Sequence, residues 1–325
     1  MPPMRDPSVR DIRIIVGMLL CVAVPAALTL ATIRVPVSQV HLSANPSPLG
    51  YTVSLLLFLV PVAVIGRWHL STGNDFDRRA FLWSSAVMAG IGAALDVLFG
   101  YAFFEFPNVG ATLGLRLPAW SWSALAFVPG YLPVEEFAFY ILGAIFMACA
   151  YLWAGENWVS AYGRADYHEA ARAHPRIVQL SPMAVGVWLA VFLAGLAYRA
   201  LNGGGVPGYF VFVMVGGALP TVALIRTVKE FVNWHAMAFA FFSLVLVSII
   251  WEASLAVPYL WWNYRHGEML GIFIQGWGNL PLEAVMVWTL GVWNAVLIYE
   301  CFRVFFRMDR RASHRLFGTP TRGPA

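Results

Sequence analysis

The sequence predicts an all-α integral membrane protein with about eight transmembrane helices in two similar parallel halves and both termini cytoplasmic. Three observations predict it. Hydrophobic residues make up 60% of the 325 and charged residues only 12%, where about a quarter of a soluble domain is charged; the mean hydropathy is +0.68. Eight apolar runs are long enough, at roughly 20 residues each, to cross the hydrocarbon core. A Leu-Pro-aliphatic-Glu core opens two of those runs, as Leu132-Pro133-Val134-Glu135-Glu136 and as Leu280-Pro281-Leu282-Glu283.

The first run, about Ile14 to Ile33, follows Arg5, Arg10 and Arg13. It exceeds the roughly 7–15-residue apolar core of a secretory signal, which predicts a retained helix. The second, about Gly50 to Gly66, ends in Arg67-Trp68-His69, and the third, about Ala80 to Phe103, holds a lone Asp96 towards its far end. An aromatic connection from Phe104 to Pro129 leads into the fourth, which opens at the first Pro-Val-Glu-Glu and ends near Ala154. A polar stretch with Arg164, Arg172 and Arg176 separates the halves. The fifth run, about Met183 to Tyr198, turns through Asn202-Gly203-Gly204-Gly205 into the sixth, about Gly208 to Ile225. The seventh, about Met237 to Ala256, holds Glu252 late, and a second aromatic connection, Tyr259 to Arg265, precedes the eighth, which begins at Pro281. The division is a first membrane repeat (1–154), a cytoplasmic connector (155–182), a second repeat (183–308) and a basic cytoplasmic tail (309–325).

Of the 21 Lys and Arg, 17 fall on the side of the termini and four, Arg34, Arg116, Arg199 and Arg265, on the other. This is a positive-inside distribution, and it reads the formal charge of +4 as topology rather than as affinity for nucleic acid. The expectation is a multi-pass protein of the cell membrane in contact with membrane lipids. Cys21, Cys149 and Cys301 lie in apolar runs without metal or CxxC spacing, so they read as small hydrophobes.

This topology puts Asp96, Glu105, Glu135, Glu136, Glu252 and Glu283 at the non-cytoplasmic ends of their helices. Glu283 follows Glu135 by 148 positions and Glu252 follows Asp96 by 156, so each half reads as a late acid, an aromatic connection and a Pro-aliphatic-Glu helix start. A proline and glutamate at a helix start are ordinary, since proline is pre-organised there and the carboxylate meets the positive end of the dipole. Two copies, each near a second intramembrane acid, point instead to a functional site, because ionisable groups at membrane depth are costly. Adjacent helical residues point about 100° apart, so Glu135 and Glu136 cannot both face inward equally. Glu135 has the counterpart Glu283 while Glu136 is matched by Ala284, which makes Glu135 the expected cavity-directed member.

Burial raises a carboxyl pKa and a neighbouring carboxylate raises it further, which gives one acid and one base from a pair. The candidate catalytic set is Glu135, Glu136, Glu283, Asp96 and Glu252. Phe137, Tyr140, Trp261, Trp262 and Tyr264 crowd the same sites, and besides forming an interfacial aromatic belt they would stabilise a cation through their ring faces. Asn263 and Asn279 are candidates to orient the carboxylates.

Other signals are weak. His168, Glu169 and His174 have no usual metal spacing. Asn74-Asp75-Phe76-Asp77 is a fragment of an aspartate-rich diphosphate motif without its spacing or second copy. Lys229 sits at a loop edge rather than inside a helix, and no Gly-x-Gly-x-x-Gly or Walker pattern occurs. The sequence therefore calls for no metal and no cofactor.

Leu132-Pro133-Val134-Glu135-Glu136-Phe137 and Leu280-Pro281-Leu282-Glu283 resemble the Pro-x-Glu-Glu motif of the small integral-membrane lycopene cyclase domains, known as two-subunit or fused carotenoid cyclases. The likeness covers about Asp96 to Trp153 and Glu252 to Tyr299, including Trp261-Trp262-Asn263-Tyr264 and Met269-Leu270-Gly271. It implies non-redox, metal-free cyclisation of a linear polyene end group. Glu135 or Glu283 would protonate a terminal double bond, the next double bond would attack the cation, and a second carboxylate would remove a proton. The implied partner is a lipophilic isoprenoid taken from the bilayer, bound by Phe137, Tyr140, Trp261, Trp262, Asn263 and Tyr264. Two features depart from the family: Ala284 stands where the second motif would carry its second acid, and the chain has about two helices more than a pair of three-helix domains. A cyclase or hydratase of another isoprenoid, a proton-coupled transporter and an inactive pathway scaffold remain open, as do a homodimer and which carboxylate is acid and which base.

Overall fold

A computed structural model describes residues 9–42, 45–71, 77–123, 126–309 and 312–318. Arg5, the Asn74-Asp75-Phe76 fragment, Arg310, Arg311 and Arg322 lie outside them, as do the side chains of Arg10 and Trp122. Within the described residues, eight helices are long and apolar enough to span a membrane. They are α1 (Ile12–Ala31), α2 (Gly50–Ser71), α3 (Arg78–Phe103), α4 (Val134–Asn157), α5 (Pro182–Leu201), α6 (Gly208–Val228), α7 (Trp234–Ala256) and α8 (Leu282–Arg307). The chain is an all-α, multi-pass membrane protein.

The packing repeats between halves. Helices α3, α4, α7 and α8 form the centre, α2 lies against α4 as α6 lies against α8, and α1 and α5 sit outermost against α2 and α6. Burial is deepest in α4, α8 and α7, at 61%, 50% and 44%, and least in α1 and α5, at 11% and 6%, while α3, at 17%, packs on α4 and α8 with one side and leaves the rest of its surface outside the bundle. The outer helices keep apolar side chains on every face because their solvent is lipid. Aromatic side chains fill the centre, where Phe58 meets Phe139, Phe146 and Trp251 edge-on at 5.6, 5.7 and 5.6 Å, a favourable ring geometry.

Three spans contain a π-helical turn, at Asp96–Gly100 in α3, Val213–Ala218 in α6 and Glu252–Ala256 in α7. Mean hydropathy carries no trace of them, because these spans are apolar on most faces whether a turn is α or π. Two begin on the intramembrane acids Asp96 and Glu252, and such turns recur at functional sites.

The aromatic connections fold into short antiparallel ribbons, an addition to the all-α expectation. β1 (Phe104–Glu105) pairs with β4 (Asn263–Tyr264), joining one half to the other. β2 (Arg116–Ser123) pairs with β3 (Ala126–Pro133), and β5 (Phe273–Ile274) with β6 (Leu280–Pro281). The ribbons satisfy backbone groups where the chain leaves its helices. Further cross-links between the connections run from Asn108 N–H to Leu260 O at 3.1 Å and from Arg265 N–H to Phe103 O at 2.9 Å.

Each half therefore reads as helix, π turn on an acid, strand, 3₁₀ turn, two strands ending in Leu-Pro, and helix. Pro133 and Pro281 stand just before α4 and α8 rather than at their first position, with φ, ψ of −63°, 147° and −66°, 149°. The first helical amide of each then donates back to its own ribbon: Val134 N–H to Leu115 O at 3.0 Å and Leu282 N–H to Ile272 O at 2.9 Å.

Candidate active site

The equivalent acids Glu135 and Glu283 do the same local work. Glu135 Oε1 accepts the Leu113 amide at 2.7 Å and the Thr52 hydroxyl at 2.6 Å. Glu283 Oε1 accepts the Leu270 amide. Each carboxylate sits in the first turn of its helix and clamps the loop that follows the 3₁₀ turn of its own half. The expectation that Glu135 is the cavity-directed member is corrected: Glu136 lines the central chamber, and so does Ala284 at the matching position of α8. The 100° step between helical neighbours decides it, since turning Glu135 and Glu283 to the loop amides swings the next residue inward.

The chamber is lined by Glu136, Glu252, Phe104, Phe139, Tyr140, Tyr209, Trp262, Tyr264, Ala284, Val287 and Trp288, and at about 20 Å³ it holds roughly one water. Glu136 Oε2 accepts the Tyr51 hydroxyl at 2.7 Å. Glu252 accepts the Tyr264 hydroxyl and, at 3.0 Å, the Trp288 indole N–H. Glu136 lies in Coulombic range of both Glu252 and Asp96. Burial, and then the Glu252 charge, push the Tyr264 hydroxyl well above the usual tyrosine range, so it remains a donor.

Asp96 is 4% exposed, and neither of its carboxyl oxygens has a hydrogen-bond partner among the described residues. It lines a separate apolar cleft of about 220 Å³ that shares Phe104, Phe139, Tyr140, Val287 and Trp288 with the chamber. Asp96, Glu136 and Glu252 thus surround one aromatic wall, two from the first half and one from the second. A buried carboxyl without a fixed partner is the group free to exchange a proton with a bound molecule.

The predicted binding residues divide. Tyr140, Trp262 and Tyr264 line the chamber. Phe137 does not: one residue on from Glu136, it packs on Leu132 and Ala119 beneath the β2–β3 ribbon. Trp261 is fully buried with its indole N–H on Ser47 Oγ at 3.1 Å and its ring stacked on Tyr51, so it holds α2 in place. Asn263 accepts its neighbour's amide, Tyr264 N–H, at 2.9 Å, and Asn279 sits in a left-handed turn with φ of 61°, so neither orients a carboxylate. Sequence reasoning missed Tyr51, Tyr209 and Phe104. A tyrosine within an apolar run such as Tyr51 carries no local mark of the partner it meets 85 positions away. Among the described residues no group of three or more His, Cys, Asp or Glu is arranged to hold a metal ion.

Fold and site define a multi-pass α-helical membrane protein with three carboxylates buried around an aromatic wall. No family model matches the chain, and no solved structure matches it. Over 122 residues it is 28% identical to NADH-quinone oxidoreductase subunit M of Rhodobacter capsulatus, a stretch covering 36% of this chain and 23% of that subunit. The chain thus matches about a quarter of that relative's length, a likeness between membrane proteins that assigns no family.

Proposed function

We propose that the protein is a membrane isoprenoid cyclase of the cell membrane that closes the end group of a linear, lycopene-like polyene by proton transfer, without redox change. The observation that carries this reading is Asp96: a buried carboxyl with no fixed partner, facing an apolar cleft and backed by two further carboxylates. The resemblance of the two Leu-Pro-aliphatic-Glu segments to membrane lycopene cyclases supports it.

Asp96 gives its proton to the terminal double bond, forming a C–H bond and a tertiary cation. The next double bond attacks that cation and forms the ring C–C bond. The new cation loses a ring proton to the carboxylates, with Glu136 and Glu252 passing it through the water-sized chamber, so Asp96 is reprotonated. Protons and electrons balance, and the product is an isomer of the substrate. Phe139, Tyr140 and Trp288 face the cation with their rings and exclude water that would trap it as an alcohol.

The test is pigment chromatography from a lycopene-accumulating host expressing the chain or its Asp96→Asn, Glu136→Gln and Glu252→Gln variants. Cyclic carotenoids from the parent, reduced by about 100-fold or more in each variant, are expected. Unchanged lycopene beside verified membrane expression removes lycopene as substrate, and other linear isoprenoids, cyclised or hydrated, are then tested.

The π turns on Asp96 and Glu252 favour a second reading, a proton-coupled transporter, because interrupted helices beside intramembrane acids bind transported ions. Proton flux into vesicles carrying the protein, abolished by Asp96→Asn with no isoprenoid product, would select it.

A further inference from the structure

The apolar cleft extends well beyond the carboxylates. It lies between α3, α4, α6 and α8 and reaches from Asp96 and Trp288 down to Asn294 and Ile298. Ten residues of helix separate Trp288 from Ile298, a depth of about 15 Å at 1.5 Å per residue. Ile91, on its α3 rim, is 49% exposed, so the cleft opens sideways to the surroundings of the bundle, which for a span is lipid. Its upper end is closed by rings, with Phe212 at 5.5 Å from Phe99 and 5.4 Å from Phe103.

Apart from Asp96, the cleft offers an occupant little polarity. Asn294 at its lower end is satisfied within the protein, accepting the Thr221 hydroxyl at 2.9 Å and donating to Gly217 O at 2.8 Å. The walls are kept open by absent side chains. A Cβ on Gly143 would meet nothing within 4 Å, whereas one on Gly217 would meet Leu290 at 3.2 Å and one on Gly291 would meet Met147 at 2.9 Å. Gly143 is therefore a point on the wall where added volume enters the cleft without first displacing protein.

We propose that this cleft is the tail site: the reacting end of a linear isoprenoid lies against Asp96 while its unreacted chain runs down the cleft past Gly143, which sets how long and how wide a chain is accepted. This deepens the cyclase reading and rests on it. The occupant is a linear isoprenoid hydrocarbon rather than a phospholipid tail, because the cleft leads to an unpartnered buried carboxyl and on into the carboxylate chamber. A phospholipid whose tail filled the cleft would leave that carboxyl without a reactive group to meet.

The experiment uses the full-length chain in detergent, with lycopene as probe, squalene as competitor and a bilayer phospholipid as the rival occupant. Bound lycopene is measured after gel filtration by its absorption and induced circular dichroism. The parent is expected to bind lycopene, Gly143→Ala to follow it closely, and Gly143→Phe to bind about tenfold less or weaker still. Gly143→Leu, expected between them, serves in its place if the phenylalanine variant does not elute as a folded species. Equal binding by parent and the bulky variants overturns the tail site, as does a parent that binds no lycopene or that retains the phospholipid against it. Binding that depends on Gly143 while no cyclic product forms leaves the tail site standing and removes the cyclase reading.

Discussion

Tyr51 and Glu136 meet through a hydrogen bond of 2.7 Å, hydroxyl to Oε2, and both side chains are buried. Tyr51 is in the first turn of α2, outside the repeated segments, so a flanking helix contributes to the carboxylate chamber. Its ring stacks on Trp261 at 6.4 Å and lies 5.0 Å from Trp262, which fixes the direction of the hydroxyl.

Tyr51→Phe keeps the ring contacts and removes the donor. The loss of one hydrogen bond to a buried acceptor costs roughly 1–3 kcal/mol, and Glu136 is left to seek another partner. Product formation is expected to fall about tenfold or more while membrane expression stays within normal range. A shift of the Glu136 carboxyl stretch in infrared difference spectra against Glu136→Gln identifies the affected group. An unchanged product yield and spectrum would show that the Tyr51 bond has no part in the site.

Gly100 closes the π turn that begins at Asp96. A Cβ placed on it would lie 2.4 Å from Asp96 Oδ1 and 2.7 Å from Leu132 Cδ1, so Gly100→Ala must displace one or both. Overpacking of this kind costs about 1–3 kcal/mol. Activity is expected to drop in Gly100→Ala and to survive in Gly143→Ala, whose Cβ enters open space. Thermal unfolding of the two purified variants separates displacement of the carboxyl from general loss of fold.

The eight spans were legible because each is apolar both where it faces lipid, as α1 and α5 mostly do, and where it packs inside the bundle, as most of α4 does, so composition alone marks it. The repeat was legible in part. Leu-Pro-aliphatic-Glu marks the backbone device by which α4 and α8 dock onto their ribbons, and Glu135 and Glu283 are matched because that device is. The inward position carries Glu136 in one half and Ala284 in the other, so matching residues across halves selected the clamp and passed over the chamber. The β1–β4 pairing, the π turns and the Tyr51 contact depend on partners far away in sequence or on backbone register, neither of which leaves a local pattern.

The clamp predicts how substitutions at Glu135 and Glu283 behave. Glutamine keeps an acceptor oxygen for the Leu113 or Leu270 amide, so Glu135→Gln and Glu283→Gln are expected to fold and to retain product. Glu283→Ala leaves the buried Leu270 amide unpaired at a cost of roughly 1–3 kcal/mol, and Glu135→Ala removes the partner of the part-buried Leu113 amide together with the Thr52 contact. Melting temperatures are expected to rank parent close to the glutamine variants and both above the alanine variants. Loss of product in the glutamine variants at full stability would return these two acids to the chemistry.

Tyr264 offers a test through pH. It lies on β4, outside the spans, and donates to Glu252; burial first and the Glu252 charge second raise its pKa well above the ordinary value. Folding therefore favours the neutral hydroxyl. Its contribution to stability is complete below the unfolded tyrosine value of about 10 and is lost as pH rises from there through the folded pKa. The parent is expected to lose stability above about pH 10 more steeply than Tyr264→Phe, which has no hydroxyl to ionise there. At neutral pH the parent is expected to be the more stable of the two, because the variant leaves Glu252 with the Trp288 N–H and without its phenol donor. Stability curves that converge as pH rises above about 10, measured by thermal unfolding from neutral to alkaline pH, are the expected result, and parallel curves would show that the hydroxyl is not held on Glu252 in the folded protein.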